Sequence, residues 1–189
     1  MKKGLLVGIG AVVLVVILVI GGLVGTYNGL VDKQAEVEKA DAQIQTYLQR
    51  RADLIPNLVN TVKGYASHET EVYTALADAR AKLNSASNAE EYTEALESYD
   101  SAISRLLVVV ENYPELKANQ NFIYLQDELT GTENRIGTAR KDYNDAVTEY
   151  NKSIKKFPTV IFAGMLGFDE AELFEASDNA QNAPVVDFE

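Results

Sequence analysis

The sequence has no cysteine, no tryptophan, a single histidine and only four prolines. Without cysteine there can be no disulfide, thiolate metal site, thiol nucleophile or lipid-bearing cysteine near the N-terminus. With His68 as the sole imidazole, a zinc site would have to be built from carboxylates around it, and a histidine-based triad has one candidate. Basic residues are also scarce relative to acidic ones. The net charge is −11, divided as +2 over residues 1–25, −6 over 26–168 and −7 over 169–189. That balance repels phosphate, and no dense basic stripe offers aromatics for base stacking, so the composition speaks against a nucleic-acid partner.

Charge is missing altogether from Leu5 to Val24, "LLVGIGAVVLVVILVIGGLV". Twenty helical residues at 1.5 Å each reach about 30 Å, the thickness of a bilayer's hydrocarbon core. A cleaved signal peptide would have a shorter apolar stretch and a small-x-small cleavage site, for which "VGTYNG" is poor, so a retained anchor over residues 1–25 is expected. Lys2 and Lys3 precede the run, whereas Asp32, Glu36 and Glu38 mix with Lys33 and Lys39 after it. The positive-inside rule then places the N-terminus in the cytoplasm and the body outside, giving a single-pass protein of the cell membrane. Gly4 and Gly8, then Gly21 and Gly25, form two small-xxx-small pairs through which two anchors can approach closely.

Beyond Thr26 the pattern is helical. Leu30, Val37, Ile44, Tyr47 and Leu48 recur at three- and four-residue spacings, and the runs Leu58–Leu83, Tyr92–Val110 and Leu116–Tyr150 do the same. Three breaks divide these runs: Pro56, the stretch Asn84–Ser87 with Glu90 completing a Ser-x-x-Glu capping box, and Pro114. The spacing predicts an all-α protein in which the N-terminal transmembrane helix leads into an up-and-down four-helix bundle over residues 26–156. The alternative is a long antiparallel hairpin whose two arms are kinked at Pro56 and Pro114. In the bundle, "RRADLIPNLV" is a corner, with Asp53 capping the second helix, Pro56 in its first turn, and Arg50 and Arg51 at the negative end of the first. Gly131 and Gly137 are weak points at which the last helix can kink. Arg51 and Arg135 lie on or beside apolar stripes, so each is expected to be partly buried and paired with Asp53, Glu128 or Glu133, fixing helix register.

His68 has only Glu71 as a local carboxylate at metal-ligand spacing, so neither a metal nor a catalytic role is expected there. Neither a cofactor nor a catalytic residue is called for elsewhere. Ten tyrosines lie mostly on the apolar stripes and suit bundle seams or interfaces. The stretch "KKFPTVIFAGMLGF" contains an apolar segment, residues 157–168, too short to span a bilayer and broken by Pro158, Gly164 and Gly167. It is expected at the base of the bundle, with Phe157, Val160, Phe162, Leu166 and Phe168 meeting the membrane or a neighbouring subunit, or strapping the bundle itself. The acidic tail, 169–189, is low in core-forming residues; its start is read as a short helix and its end as flexible.

The anchor followed by "YNGLVDKQAEVEKADAQIQTYLQRRADLIPNLVNTVKGYASHE", and downstream "TENRIGTARKDYNDAVTEYNKSIKKFPTVIFAGMLGF", resembles the LemA family of bacterial membrane proteins. The motifs are Tyr27-Asn28, the stretch Arg50–Tyr65, Glu133-Asn134-Arg135 and Phe157-Pro158, and the likeness runs from Met1 to about Phe168. Between them, "EYTEALESYDSAISRLLVVVENYPELKANQNFIYLQ" is a variable middle, and the tail carries no family pattern. The resemblance implies an all-helical bundle, one N-terminal membrane helix and no established enzymatic activity, with relatives linked to membrane remodelling or organelle biogenesis. The expected function is a non-enzymatic, membrane-anchored scaffold that forms a homo-oligomer at the bacterial cell envelope, with the lipid bilayer as its other partner. The alternative is a monomeric adaptor that binds other envelope proteins.

Overall fold

The structure, a computed structural model, describes residues 2–174, with side chains from residue 8 onward. The described residues form helices and turns and contain no strand: α1 (Lys2–Lys63), α2 (Thr70–Ser85), α3 (Ala89–Glu111), α4 (Pro114–Lys117) and α5 (Gln120–Lys155), then two 3-10 turns, Thr159–Ile161 and Gly164–Leu166. The chain divides into two compact units. Among the described residues, 2–39 with 145–171 make unit 1, and 40–144 with 172–174 make unit 2.

The corner expected at Arg50, Arg51, Asp53 and Pro56 does not exist. Helix α1 runs through Pro56 without a break. An interior proline removes one hydrogen bond and costs about 3 kcal/mol. Against that, Ile44, Leu48, Ile55, Leu58 and Val62 are all buried on one stripe of α1. Each contributes roughly 1.5–3 kcal/mol, so keeping the stripe intact wins. Asp53 is not a cap; it is exposed and accepts a 2.9 Å hydrogen bond from Gln49 on the same helix. The chain turns instead after Lys63, where the Tyr65 and Ala66 N–H groups both bond to the Val62 carbonyl and the Tyr73 hydroxyl donates to the Ala66 carbonyl.

The second break falls where it was expected, with its cap one residue later. Asn88, not Ser87, caps α3: its Oδ1 accepts from the Glu91 N–H at 2.9 Å. The Glu91 carboxylate in turn accepts from the Ser87 N–H and hydroxyl at 2.8 and 2.9 Å, and these bonds hold its carboxyl below the ordinary range. Pro114 opens the single turn of α4, and Asn119 then accepts from the N–H groups of Asn121 and Phe122 to start α5. Helix α5 passes through Gly131 and Gly137 unbroken. Unit 2 thus gathers segments of α1, α2, α3 and α5 and the short α4 around one core that includes Leu48, Leu58, Leu76, Tyr99, Leu106, Leu116 and Phe122. Separate helices α2 and α3 exclude the two-armed hairpin.

In unit 1 a smaller cluster of Leu30, Tyr150, Ile154, Ala163 and Phe168 forms around α1 and the end of α5. The Phe157–Pro158 peptide is cis. The second 3-10 turn closes on Gly167, which has φ +83°, while the Phe168 N–H reaches back to the Ala163 carbonyl at 3.0 Å. A side chain at Gly167 would be strained, and without the reversal Phe168 would not come down edge-on to Tyr27, ring centroids 5.5 Å apart. Among the described residues of the tail's start, where a short helix was expected, residues 168–174 are without regular structure; the rest of the tail lies outside the described residues.

Because α1 tolerates Pro56 for its stripe rather than for its turn, Pro56→Ala should stabilise the full chain by about 1–3 kcal/mol. Thermal unfolding in detergent, followed by circular dichroism, should show Tm raised by roughly 3–10 °C. A lowered Tm would mean that the proline ring's own packing outweighs the restored hydrogen bond.

Candidate functional site

The polar centre of unit 2 is built on Arg51. Its position on the buried stripe of α1 leaves the side chain 5 % exposed, and its Nη2 donates to Asp100 Oδ1 on α3 at 2.7 Å, with Glu133 Oε2 on α5 at 3.9 Å. The guanidinium carbon lies over the Tyr99 ring, 4.1 Å from its centroid. Asp100 is 55 % exposed, so the ion pair is half wet: the cation is buried and the anion is not. Arg50, one residue earlier, faces outward and pairs with Glu128 at 2.6 Å.

Beside this pair lies a cavity of about 390 Å³ with Leu58, Leu106, Phe122 and Leu129 on its apolar side and Gln126, Thr130 and Glu133 on its rim. Two buried polar atoms of its wall, Arg51 Nε and the Tyr99 hydroxyl, have no hydrogen-bond partner of ordinary geometry. Burial pushes the Tyr99 hydroxyl up to about 12, the Arg51 charge pulling the other way. A phenol held there keeps its proton at neutral pH and cannot act as a base. The arrangement suits the recognition of hydrogen-bond acceptors.

The expected register pair is therefore only partly met by this geometry. Arg51 meets Glu133, but its close partner is Asp100, and Arg135 is exposed on α5 rather than buried. Asp100 had a signal in the sequence, since it follows Tyr99 on the α3 stripe, yet it lies in the stretch taken as the variable middle. His68 is exposed in the turn before α2. Of the anchor glycines, Gly8, Gly21 and Gly25 are exposed with nothing within 4 Å of a would-be Cβ, and Gly4 lies outside the residues whose side chains are described.

The basal segment of unit 1 is split. Phe168 is a correction: it is buried against Leu30 and Tyr27, not offered to a membrane or a neighbour. Phe162 is half-buried. Phe157 and Met165, by contrast, are 81 % and 87 % exposed, and Val160, Ile161 and Leu166 are exposed with them. Two asparagines were missed. Asn151 holds Ala171 by its Nδ2–H to the carbonyl (2.8 Å) and its Oδ1 to the N–H (3.0 Å). Asn144 holds Phe174 in the same way, at 3.0 and 2.9 Å. Their signal was two asparagines seven residues apart inside a helix, where that residue is disfavoured.

These features define an all-α protein whose N-terminal helix is long and apolar enough to cross a membrane and leads into a helical body. The LemA family model matches residues 40–188, and the chain belongs to the LemA family. The match includes the acidic tail, which the sequence alone had left without a family pattern. Among its relatives are magnetosome protein MamQ 2 of Paramagnetospirillum magneticum, 27 % identical with 92 % of this chain and 73 % of the relative covered. Magnetosome protein MamQ of Magnetospirillum gryphiswaldense is 23 % identical, covering 85 % and 68 %. Protein LemA of Metamycoplasma hominis is 29 % identical, covering 82 % and 71 %.

The Tyr99 site predicts an alkaline signature. The unfolded chain releases this proton near 10 and the folded chain near 12, so stability should fall as pH rises between those values. Denaturant unfolding across that window should show a shallower fall in Tyr99→Phe, which also removes the orphaned hydroxyl and should leave stability at pH 7 within about 1 kcal/mol of the parent. An unchanged pH slope would show that Tyr99 does not titrate as its burial implies.

Proposed function

We propose that the protein is a non-enzymatic, membrane-anchored helical scaffold that self-associates at the bacterial cell envelope and organises the bilayer holding it. The observation that carries this reading is the exposed apolar rim of unit 1: Phe157, Val160, Ile161, Met165 and Leu166 stand out from a segment whose other side, Ala163 and Phe168, is closed onto Leu30 of α1. Leu30 lies less than two turns beyond Val24, the end of the apolar run. The rim therefore belongs to the stretch of α1 next to the bilayer, where an apolar surface of this extent meets lipid or a second copy. Exposed Gly8, Gly21 and Gly25 on the anchor support close approach of two spanning helices.

Particle mass of the full chain in mild detergent is the direct measurement, and a homo-oligomer at micromolar concentration is expected. The double variant Phe157→Asp with Met165→Asp should lower association by roughly a thousandfold, because each carboxylate buried unpaired at a contact costs several kcal/mol. Its circular dichroism should match the parent, since both positions are already exposed. A strictly monomeric parent would defeat the scaffold reading, and recurrent crosslinks to one other envelope protein in native membranes would favour the adaptor.

A further inference from the structure

Residues of α3 and α5 line the cavity of unit 2, together with Arg51 and Leu58 of α1, and the same two helices hold Phe174 at another point along their length. There Phe174 stacks on Tyr92 of α3 (centroids 6.0 Å, planes 17° apart) and meets Tyr143 of α5 edge-on at 5.1 Å. The Arg140 guanidinium covers its ring at 4.9 Å, and Asn144 clamps its backbone through both side-chain amide atoms. Two turns along α3, at Tyr99, and about four turns along α5, at Thr130, lies the 390 Å³ cavity with two unsatisfied buried donors in its wall, Arg51 Nε and the Tyr99 hydroxyl.

The clamps have a repeat. Asn151 and Asn144 are seven residues apart on α5, and the residues they hold, Ala171 and Phe174, are three apart. Seven helical residues advance about 10.5 Å and three extended residues about 10 Å, so an extended segment stays in step with the helix. The next two positions on that face of α5 are Gly137 and Thr130. Gly137 is exposed with nothing within 4 Å of a would-be Cβ, which leaves a backbone room to lie against it, and Thr130 is on the cavity rim. From Asn144 to Thr130 is fourteen residues, about 21 Å, which six or seven extended residues cover. Fifteen residues follow Phe174, and the family match continues to residue 188.

We infer that the α3–α5 groove is a binding site for an extended peptide and that its occupant is this chain's own segment 175–182, with Ser177 opposite Gly137 and Ala180 opposite Thr130. The sequence "EASDNAQN" fits: Ala176, Ser177 and Ala180 are small enough for a groove walled by a glycine, while Asp178, Asn179 and the segment's carbonyls supply the acceptors that Arg51 Nε and the Tyr99 hydroxyl lack. This site is independent of the scaffold reading and of the apolar rim.

The absence of cysteine gives a clean background for the test. Full-length chains carrying Gly137→Cys with Ser177→Cys, or Thr130→Cys with Ala180→Cys, should close an intrachain disulfide under mild oxidation at least about tenfold faster than the control Gly137→Cys with Val185→Cys. Gly137 and Thr130 are exposed on α5, and either in-register pair suffices if the other disturbs folding. Equal rates for in-register and control pairs would overturn the proposal. A disulfide forming mainly between two chains would also overturn it, assigning the groove to the tail of a second copy.

Discussion

A guanidinium that is 5 % exposed must find its counter-charge where it lies, and the helices of unit 2 are held in register by that requirement. Arg51 comes from α1, Asp100 from α3 and Glu133 from α5, so three helices meet at one charge. Sliding α3 by one turn would bring Leu96 or Ser104 opposite the cation and strand it beside an apolar group or a hydroxyl. The Tyr99 ring beneath adds a face that only the correct rotation of α3 presents. Hydrophobic burial alone would accept several such registers, because leucine, valine and alanine recur along every stripe. The ion pair accepts one.

Unit 1 is arranged by the opposite means. Its cluster is Leu30, Tyr150, Ile154, Ala163 and Phe168, and the ion pairs around it, Lys33 with Glu149 at 3.9 Å and Lys155 with Glu170 at 2.7 Å, lie on the outside. What closes it is a backbone event, the left-handed Gly167 that turns Phe168 inward. The same short segment consequently has two characters, one side spent on its own unit and the other left apolar in the open. That division is why a segment too short to span a bilayer is still the surface on which a membrane-bound reading rests.

Helix existence was legible because the periodicity of Ile44, Leu48 and Leu58 or of Tyr92, Leu96 and Tyr99 is strong enough to survive any local detail. Helix ends were less so. Pro56 signals a break by its missing N–H, but the decision was made by the buried stripe on both sides of it, a tertiary quantity that no window of residues contains. The cap of α3 moved by one residue because serine and asparagine compete for that place, and Asn88 has the extended backbone geometry it requires. Arg51 was recognised as buried from its stripe, whereas Asp100 was not recognised as its partner, since the pairing spans 49 residues. Phe168 and Phe162 could not be sorted into inward and outward positions from the pattern, because a segment of 3-10 turns has neither a helix's period nor a strand's.

The two asparagine clamps give α5 an unusual property. A side-chain amide that accepts from a residue's N–H and donates to its carbonyl offers the same pair of contacts as a neighbouring β-strand, so α5 carries two rungs of a sheet edge on the outside of a helix. Such an edge reads backbone and ignores side chains. The amide contacts themselves are the same for alanine in one place and phenylalanine in the other, and the residue each rung refuses is proline, which has no N–H to give. The asparagine rungs thus fix backbone position and exclude proline, while the choice of side chain at Phe174 is made by Tyr92, Tyr143 and Arg140 around its ring.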